Sequence, residues 1–185
     1  MKMKMHNWND LGDLQQKSFK CKFCDKEVAS LNAYWRDGIN WRIYICPNCA
    51  RPTFFEGDKQ IPAPLLGNKV DELPDKIASL YNEIRDCTGI NAFTSAVLSC
   101  RKLLMNIAVE QGADEGKSFI EYIEYLSARG FVPPNGKEWV DHIRKKGNEA
   151  THEIVLMEQN DALDLINFIE MLLKFIYEFP RRLKK

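Results

Sequence analysis

The chain has little of what marks several large classes of protein. Lysine plus arginine total 26 and aspartate plus glutamate also total 26, so the formal net charge is zero. A neutral chain lacks the broad positive field with which strongly basic proteins attract nucleic acid. No apolar run approaches the roughly 20 residues that a membrane-spanning helix needs, and residues 1–8 lack the apolar stretch of a secretory signal. We therefore expect a cytoplasmic protein without membrane contact.

Four of the six cysteines form two pairs with the same spacing. The first pair is Cys21 and Cys24, and the second is Cys46 and Cys49, with 21 residues between the pairs. Two residues between ligands let both thiolates reach one ion, and a hairpin that includes the strand-like residues 41–45 returns the second pair to it. The spacing predicts one structural Zn²⁺ per chain in a small β-rich zinc ribbon. Unrelated cysteines and a redox Cys-x-x-Cys pair are the alternatives, and nothing around the pairs resembles a βαβ redox fold.

The predicted zinc module has two possible roles. A Cys₄ ribbon commonly holds together a segment that is too small to fold alone, and it can also contact a protein partner. Alternatively, its basic and aromatic side chains contact nucleic acid. The candidates for such contact are Arg36, Arg42, Arg51, Trp35 and Trp41.

The rest of the chain has the apolar periodicity of helices. Proline and glycine residues after the second cysteine pair predict an extended strap, so residues 1–69 form the zinc-ribbon module with its strap and residues 70–185 form a second domain. Ser118 with Glu121 three residues later is a capping box, and Asn91 is an N-cap candidate. Short loops favour an antiparallel helical bundle. We therefore predict a mainly α protein in which a small β-rich module precedes the bundle, and we assign neither Cys87 nor Cys100 to metal.

One polar segment interrupts the apolar pattern of the helical part. Gly147 should break a helix there, while Asn148 and His152 are four residues apart and share a face of any helix that continues. Such a pair can orient a substrate and transfer a proton, or it can hold two helices together through hydrogen bonds. The basic residues beside it would enlarge a positive field around a bound anion. The candidate ligand-binding residues are Arg144, Lys145, Lys146 and Glu153.

The string from Gly147 to Glu153 resembles the Gly-Asn-x-Ala-x-His signature of DUF4145, a bacterial family of unknown function. Arg101 matches an arginine on an earlier helix of that family, and Cys-Pro-x-Cys elements such as Cys46–Cys49 often precede its helical part. The family is in turn similar to the HEPN superfamily of helical bundles, which act in antiphage defence and toxin–antitoxin systems. The resemblance therefore implies a HEPN-like bundle and a defence-related role.

Active HEPN proteins are metal-independent endoribonucleases that usually work as dimers, and their motif reads arginine, a polar residue, three further residues and histidine. Here Asn148 matches the polar position and His152 the histidine, with Arg101 as the third candidate catalytic residue. Gly147 stands where the motif has its phosphate-binding arginine, which argues against nuclease activity.

Three functions follow from these observations. The first is a zinc-containing, HEPN-like module that binds RNA, a nucleotide or a protein partner. The second is an endoribonuclease that uses His152, and the third is a structural or assembly protein. The resemblance and the apolar final helix together predict a homodimer.

Overall fold

The computed structural model describes residues 8–132, 141–143, 145 and 156–183, apart from the side chain of Asp10. The chain divides into two compact units, Met1–Leu65 and Leu66–Lys185. The division lies four residues before the boundary predicted from the sequence. Whether each unit folds independently stays a prediction.

The first unit is a five-stranded antiparallel sheet in which every strand pairs with its neighbours in the sequence. Its strands are β1 (Asn9–Lys20), β2 (Glu27–Arg36), β3 (Trp41–Ile45), β4 (Pro52–Glu56) and β5 (Lys59–Ile61). Because the order is a simple meander, the β1–β2 and β3–β4 connections lie at the same end of the sheet. Those two connections contain the two cysteine pairs.

The sheet shows that the prediction of a mainly α chain is wrong. The sequence predicts only the strand at Trp41–Ile45. The structure also contains β1 and β2, which are 12 and 10 residues long. The pairing of β1 with β2 is irregular, because Asp13 opposes Asn32 while Lys17 already opposes Ser30. This irregularity and the many polar residues of β1 obscure the alternation of apolar and polar residues by which a strand is recognised in a sequence.

The second unit is helical. Among the described residues, its elements are α1 (Asp75–Gly89), α2 (Phe93–Glu110), α3 (Phe119–Ala128) and α4 (Gln159–Leu173), followed by a π-helical turn (Lys174–Glu178) and a short α5 (Phe179–Arg182). Residues 141–143 are also helical. Buried side chains from α1 to α4 form one core, to which Ile143 also contributes. Among the described helices, none is long and apolar enough to cross a membrane.

Two helix boundaries test the sequence predictions closely. The capping box at Ser118 is confirmed, because its side chain accepts from Glu121 N–H and the Glu121 side chain accepts from Ser118 N–H. The predicted N-cap role of Asn91 is wrong. Asn91 has a positive φ of 60°, and its N–H donates to Thr88 at 3.0 Å. It therefore belongs to the end of α1.

An extended strap, residues 66–72, lies along the helical unit and is held by buried charges. Arg85 is 3% exposed, and its guanidinium donates to two strap carbonyl oxygens at 3.1 and 3.0 Å. The carboxylate of Glu170 accepts from the backbone N–H of Asn68 at 2.7 Å, and the Tyr81 hydroxyl donates to the Asn68 carbonyl at 2.8 Å. The strap is thus an integral part of the helical unit.

Candidate metal centre

The two cysteine pairs lie in turns of the same construction. In the first turn Cys21 N–H donates to Lys26 O at 2.9 Å, and Asp25 N–H donates to Cys21 O at 2.8 Å. In the second turn Cys46 N–H donates to Arg51 O at 3.0 Å, and Ala50 N–H donates to Cys46 O at 2.8 Å. The repeated hydrogen bonds give each turn the compact shape that directs two thiols to one side.

The four thiols converge on one point. All four Sγ atoms lie within 4.8 Å of one another, with Cys21 and Cys49 at 3.7 Å and Cys24 and Cys46 at 3.8 Å. A regular tetrahedron with metal–sulfur bonds of about 2.3 Å has sulfur–sulfur edges of about 3.8 Å. The four cysteines therefore have the geometry to hold one metal ion with four thiolate ligands.

Burial and hydrogen bonds affect the four thiols unequally. Burial raises the pKa of the Cys21 thiol to about 12. Burial also acts to raise the pKa of the Cys24 thiol, but hydrogen bonds from Lys26 N–H and the Asn48 side chain outweigh it and bring this pKa to about 7. Because a metal binds thiolates, its binding displaces protons and weakens as the pH falls.

The core of the first unit contains two of the cysteines together with aromatic side chains of the sheet. Cys21 and Cys46 are completely buried, and they cluster with Phe19, Tyr44 and Phe55. The ring of Phe55 meets those of Phe19 and Tyr44 edge to face, at centroid distances of 5.3 and 5.7 Å. The metal centre is therefore continuous with the small core that it would stabilise.

The outer side of the cysteine turns is aromatic and basic. Phe23, between the first two cysteines, is 39% exposed. The Arg51 guanidinium lies 5.2 Å from the centroid of this ring, and the Lys22 ammonium lies 5.9 Å from it. Lys26 donates to the Asn48 side chain at 3.3 Å and so joins the two turns. We call Lys22, Phe23, Lys26 and Arg51 the knuckle surface.

The sequence singled out Arg51 but missed the rest of the knuckle surface. One signal for Lys22 and Phe23 is present in the sequence, because residues between the two cysteines of a tight metal-binding turn point away from the metal. The other sequence candidates lie elsewhere. Arg36 stacks over the Trp41 ring at 5.7 Å, and Arg42 donates to the carbonyl oxygens of Ile39 and Trp41. Trp35 pairs with Arg42 across β2 and β3.

The polar cluster predicted in the helical unit is described only in part. Arg101 on α2 is half-buried, its guanidinium lies 4.2 Å from the centroid of the Phe119 ring, and desolvation lowers its pKa. Lys145 is helical and exposed. The other predicted members lie outside the described residues, namely Arg144, Lys146, Gly147, Asn148, His152 and Glu153.

Comparison with known families gives one result. A family model described as a domain of unknown function, DUF4145, matches residues 82–185, which is more than half of the chain. The match lies within the helical unit and begins inside α1. Comparisons with curated proteins and with solved structures gave no match.

Proposed function

Since this chain belongs to the DUF4145 family, whose function is unknown, we propose its role from its own geometry: it is a zinc-stabilised protein that binds single-stranded RNA through its N-terminal unit. The observation that carries this proposal is the exposed Phe23 ring, which has the cations of Lys22 and Arg51 within 6 Å of its centroid and lies in one of the turns that form the four-cysteine cluster.

The donor set supports zinc as the metal. Four thiolates in a tetrahedron are typical ligands of structural Zn²⁺. Four protein ligands leave no position for a substrate, so the ion stabilises the fold and takes no part in catalysis. A sheet whose buried core consists of a few aromatic side chains beside the cysteines gains much of its stability from such an ion.

The knuckle surface supports single-stranded RNA as the ligand. Proteins recognise single-stranded RNA by stacking unpaired bases on exposed aromatic rings while lysine and arginine contact the phosphates. Phe23 supplies an exposed ring, Lys22 and Arg51 supply two cations within 6 Å of its centroid, and Lys26 adds a third cation in the same pair of turns. Every base has a flat face, so we expect binding with little sequence preference.

The same cations have a second possible role. One Zn²⁺ with four thiolates carries a net charge of −2, so nearby lysine and arginine side chains also stabilise the metal centre itself. The two roles differ in what they predict. A purely electrostatic support of zinc depends on Arg51 and Lys22 but not on the Phe23 ring, whereas RNA stacking depends on that ring.

The test measures the affinity of the zinc-loaded full chain for a fluorescently labelled single-stranded RNA by anisotropy. We expect Phe23→Ala to weaken binding about tenfold, because a base stacked on an aromatic ring contributes about 1–3 kcal/mol. Tyr34→Ala is the matched control, because Tyr34 in the same unit is 37% exposed. Binding should also weaken as salt rises from 50 to 200 mM, at roughly 0.7 decades of affinity per decade of salt for each phosphate contact.

Three results would overturn the proposal. Absence of binding at low salt would redirect the search to a protein partner. Equal effects of Phe23→Ala and Tyr34→Ala would remove the knuckle surface as the contact. Cleavage of the RNA that disappears in His152→Ala would replace binding by catalysis.

A further inference from the structure

A polar cleft lies in the first unit, outside the cysteine turns. Its volume is about 400 Å³, within the range of about 300–1,000 Å³ that is usual for small-ligand sites. The cleft is lined by residues of β1, of β3 with the turn before it, and of β4 with the turn after it. None of the described lining residues belongs to the knuckle surface, so the cleft is a second candidate site.

An irregularity in β1 contributes to the cleft. From Asp13 to Lys17 this strand advances four residues, while its partner β2 advances only two. Bulges redirect side chains and are over-represented next to active sites. The Tyr44 hydroxyl donates to the carbonyl oxygen of Gln15 at 3.0 Å and so connects the bulge to β3. The bulge thus brings Gln15 and Gln16 to the cleft.

Two cations, Lys17 and Arg42, line the cleft. Arg42 Nη1 donates to the carbonyl oxygens of Ile39 and Trp41 at 3.2 and 2.8 Å, which fixes the guanidinium. A guanidinium has five N–H donors in a rigid fork, so the donors on Nε and Nη2 can bind a ligand. The Lys17 ammonium lies 5.1 Å from the centroid of the Phe55 ring, at the floor of the cleft.

Lys17 is paired with a carboxylate that a ligand can displace. Lys17 Nζ and Asp58 Oδ1 lie 2.8 Å apart, and the Asp58 side chain is fully exposed. An ion pair with an exposed partner contributes little to stability. The Asp58 carboxylate therefore occupies a position that an oxygen of an anionic ligand can take.

We propose that this cleft binds a nucleotide by its phosphate monoester, either in a free mononucleotide or at the phosphorylated end of an RNA strand. A phosphate monoester carries a charge close to −2 at pH 7, which matches Lys17 and Arg42 together. A phosphodiester within a strand carries only one negative charge. The phosphate displaces Asp58 from Lys17 and binds both cations.

The rest of the cleft suits the uncharged part of a nucleotide. The exposed residues Gln15, Gln16 and Asn40 line it, and a side-chain amide both donates and accepts hydrogen bonds. Ribose hydroxyls and base edges need both kinds of partner. Because an amide can pair with any base, we expect affinity to depend on the phosphate more than on the base.

The first test is calorimetric titration of the zinc-loaded full chain with AMP and with adenosine. We expect a dissociation constant on the order of 10 µM for AMP, and binding of adenosine at least tenfold weaker. Lys17→Gln should weaken AMP binding at least tenfold, because it removes a charged hydrogen-bond donor to the phosphate. Lys59→Gln is the matched control, because Lys59 is an exposed lysine beside Asp58 in the chain, and it should leave the affinity unchanged.

Asp58→Asn should strengthen AMP binding about two- to fivefold, because it removes the carboxylate that competes for Lys17. Damage to the fold would weaken binding, so this gain separates the proposed displacement from a structural effect. If Lys17→Gln loses the native tryptophan fluorescence, the direction of the Asp58→Asn effect decides.

The second test compares labelled RNA strands with and without a 5′-phosphate by anisotropy, and this arm rests on the proposed RNA binding. If the cleft binds RNA ends, the phosphate should tighten binding several-fold in the unsubstituted protein and in Phe23→Ala, and Lys17→Gln should abolish that gain. Equal affinities of the two strands, with AMP bound, assign the cleft to free mononucleotides. A Phe23→Ala variant that binds RNA normally contradicts the proposed function and leaves the AMP result valid.

The proposal is overturned if AMP does not bind at 1 mM and the two RNA strands bind equally. Equal affinity for AMP and adenosine also overturns it, because the phosphate then makes no contact. AMP binding that neither Lys17→Gln nor Asp58→Asn changes shows that the nucleotide binds outside this cleft.

Discussion

Asp25 and Ala50 occupy equivalent positions in the two cysteine turns, with positive φ angles of 59° and 56°. Each lies four residues after the first cysteine of its pair and donates its N–H to that cysteine's carbonyl oxygen. This left-handed conformation is unfavourable for a residue with a Cβ atom. Both turns therefore keep a strained residue at the position where glycine fits best.

We expect Ala50→Gly to stabilise the zinc-loaded first unit by about 1 kcal/mol, because glycine relieves the left-handed strain. Ala29→Gly, at an exposed position of β2, is the control and should destabilise it by about 0.5–1 kcal/mol. Tryptophan fluorescence in a urea titration measures both, since three of the four tryptophans, Trp8, Trp35 and Trp41, lie in this unit. A loss of stability in Ala50→Gly would contradict the strain argument.

Removal of the metal should unfold the first unit. A Cys₄ module of this size depends on its ion, so a strong chelator should red-shift the tryptophan emission while the helical signal persists. Elemental analysis of the untreated protein should give about one zinc per chain. Cys24→Ser with Cys46→Ser should reproduce the chelated state, and Cys87→Ser should not. A protein that is free of zinc yet has native fluorescence would contradict this prediction.

Gly67 in the strap has a φ of 66°, and a Cβ atom there would lie 2.4 Å from Ile166 Cγ2. We expect Gly67→Ala to destabilise the helical unit by more than 2 kcal/mol, because steric overlap in the core adds to the backbone strain. Gly116→Ala is the matched control. Its φ is 76° and its added Cβ would meet no atom within 4 Å, so it should cost only the backbone strain of about 1–2 kcal/mol. Equal losses in a thermal melt would disprove the overlap.

The Glu170 carboxylate should make the helical unit sensitive to acid. Burial acts to raise its pKa, but hydrogen bonds and charge from Lys174 and Asn68 outweigh burial and hold the pKa below its ordinary value of 4.5. A carboxyl with a lowered pKa in the folded state adds stability above pH 4.5, and that stability is lost as the pH falls through the folded-state pKa.

Glu170→Gln should therefore flatten the dependence of the free energy of unfolding on pH below 4.5. Exposed Glu115→Gln serves as the control and should retain the slope of the unsubstituted protein. Urea titrations followed by circular dichroism between pH 3 and 7 provide the measurement. A Glu170→Gln slope that equals the control would show that another group governs acid unfolding.

The sequence predicted the parts of this protein whose cause is local. Cysteine spacing located the metal ligands, and the pattern around Ser118 located a helix start, because both depend on residues a few positions apart. The sequence does not predict the strands β1 and β2, because an irregular pairing and polar side chains obscure their alternation of apolar and polar residues. The buried Arg85 and Glu170 were also missed, since their partners are strap groups 18 to 102 positions away.

The strap also determines at which residue the N-terminal module of this chain can be exchanged for a different one. The family match begins at residue 82. The buried guanidinium of Arg85, however, donates to the carbonyl oxygens of Leu66 and Gly67, which lie before that residue. A gene fusion that joined a different N-terminal module at residue 82 would remove two carbonyl acceptors of the buried Arg85 guanidinium. The viable junction for such an exchange lies before Leu66, so we expect relatives with other N-terminal modules to carry the strap as part of the inherited helical unit.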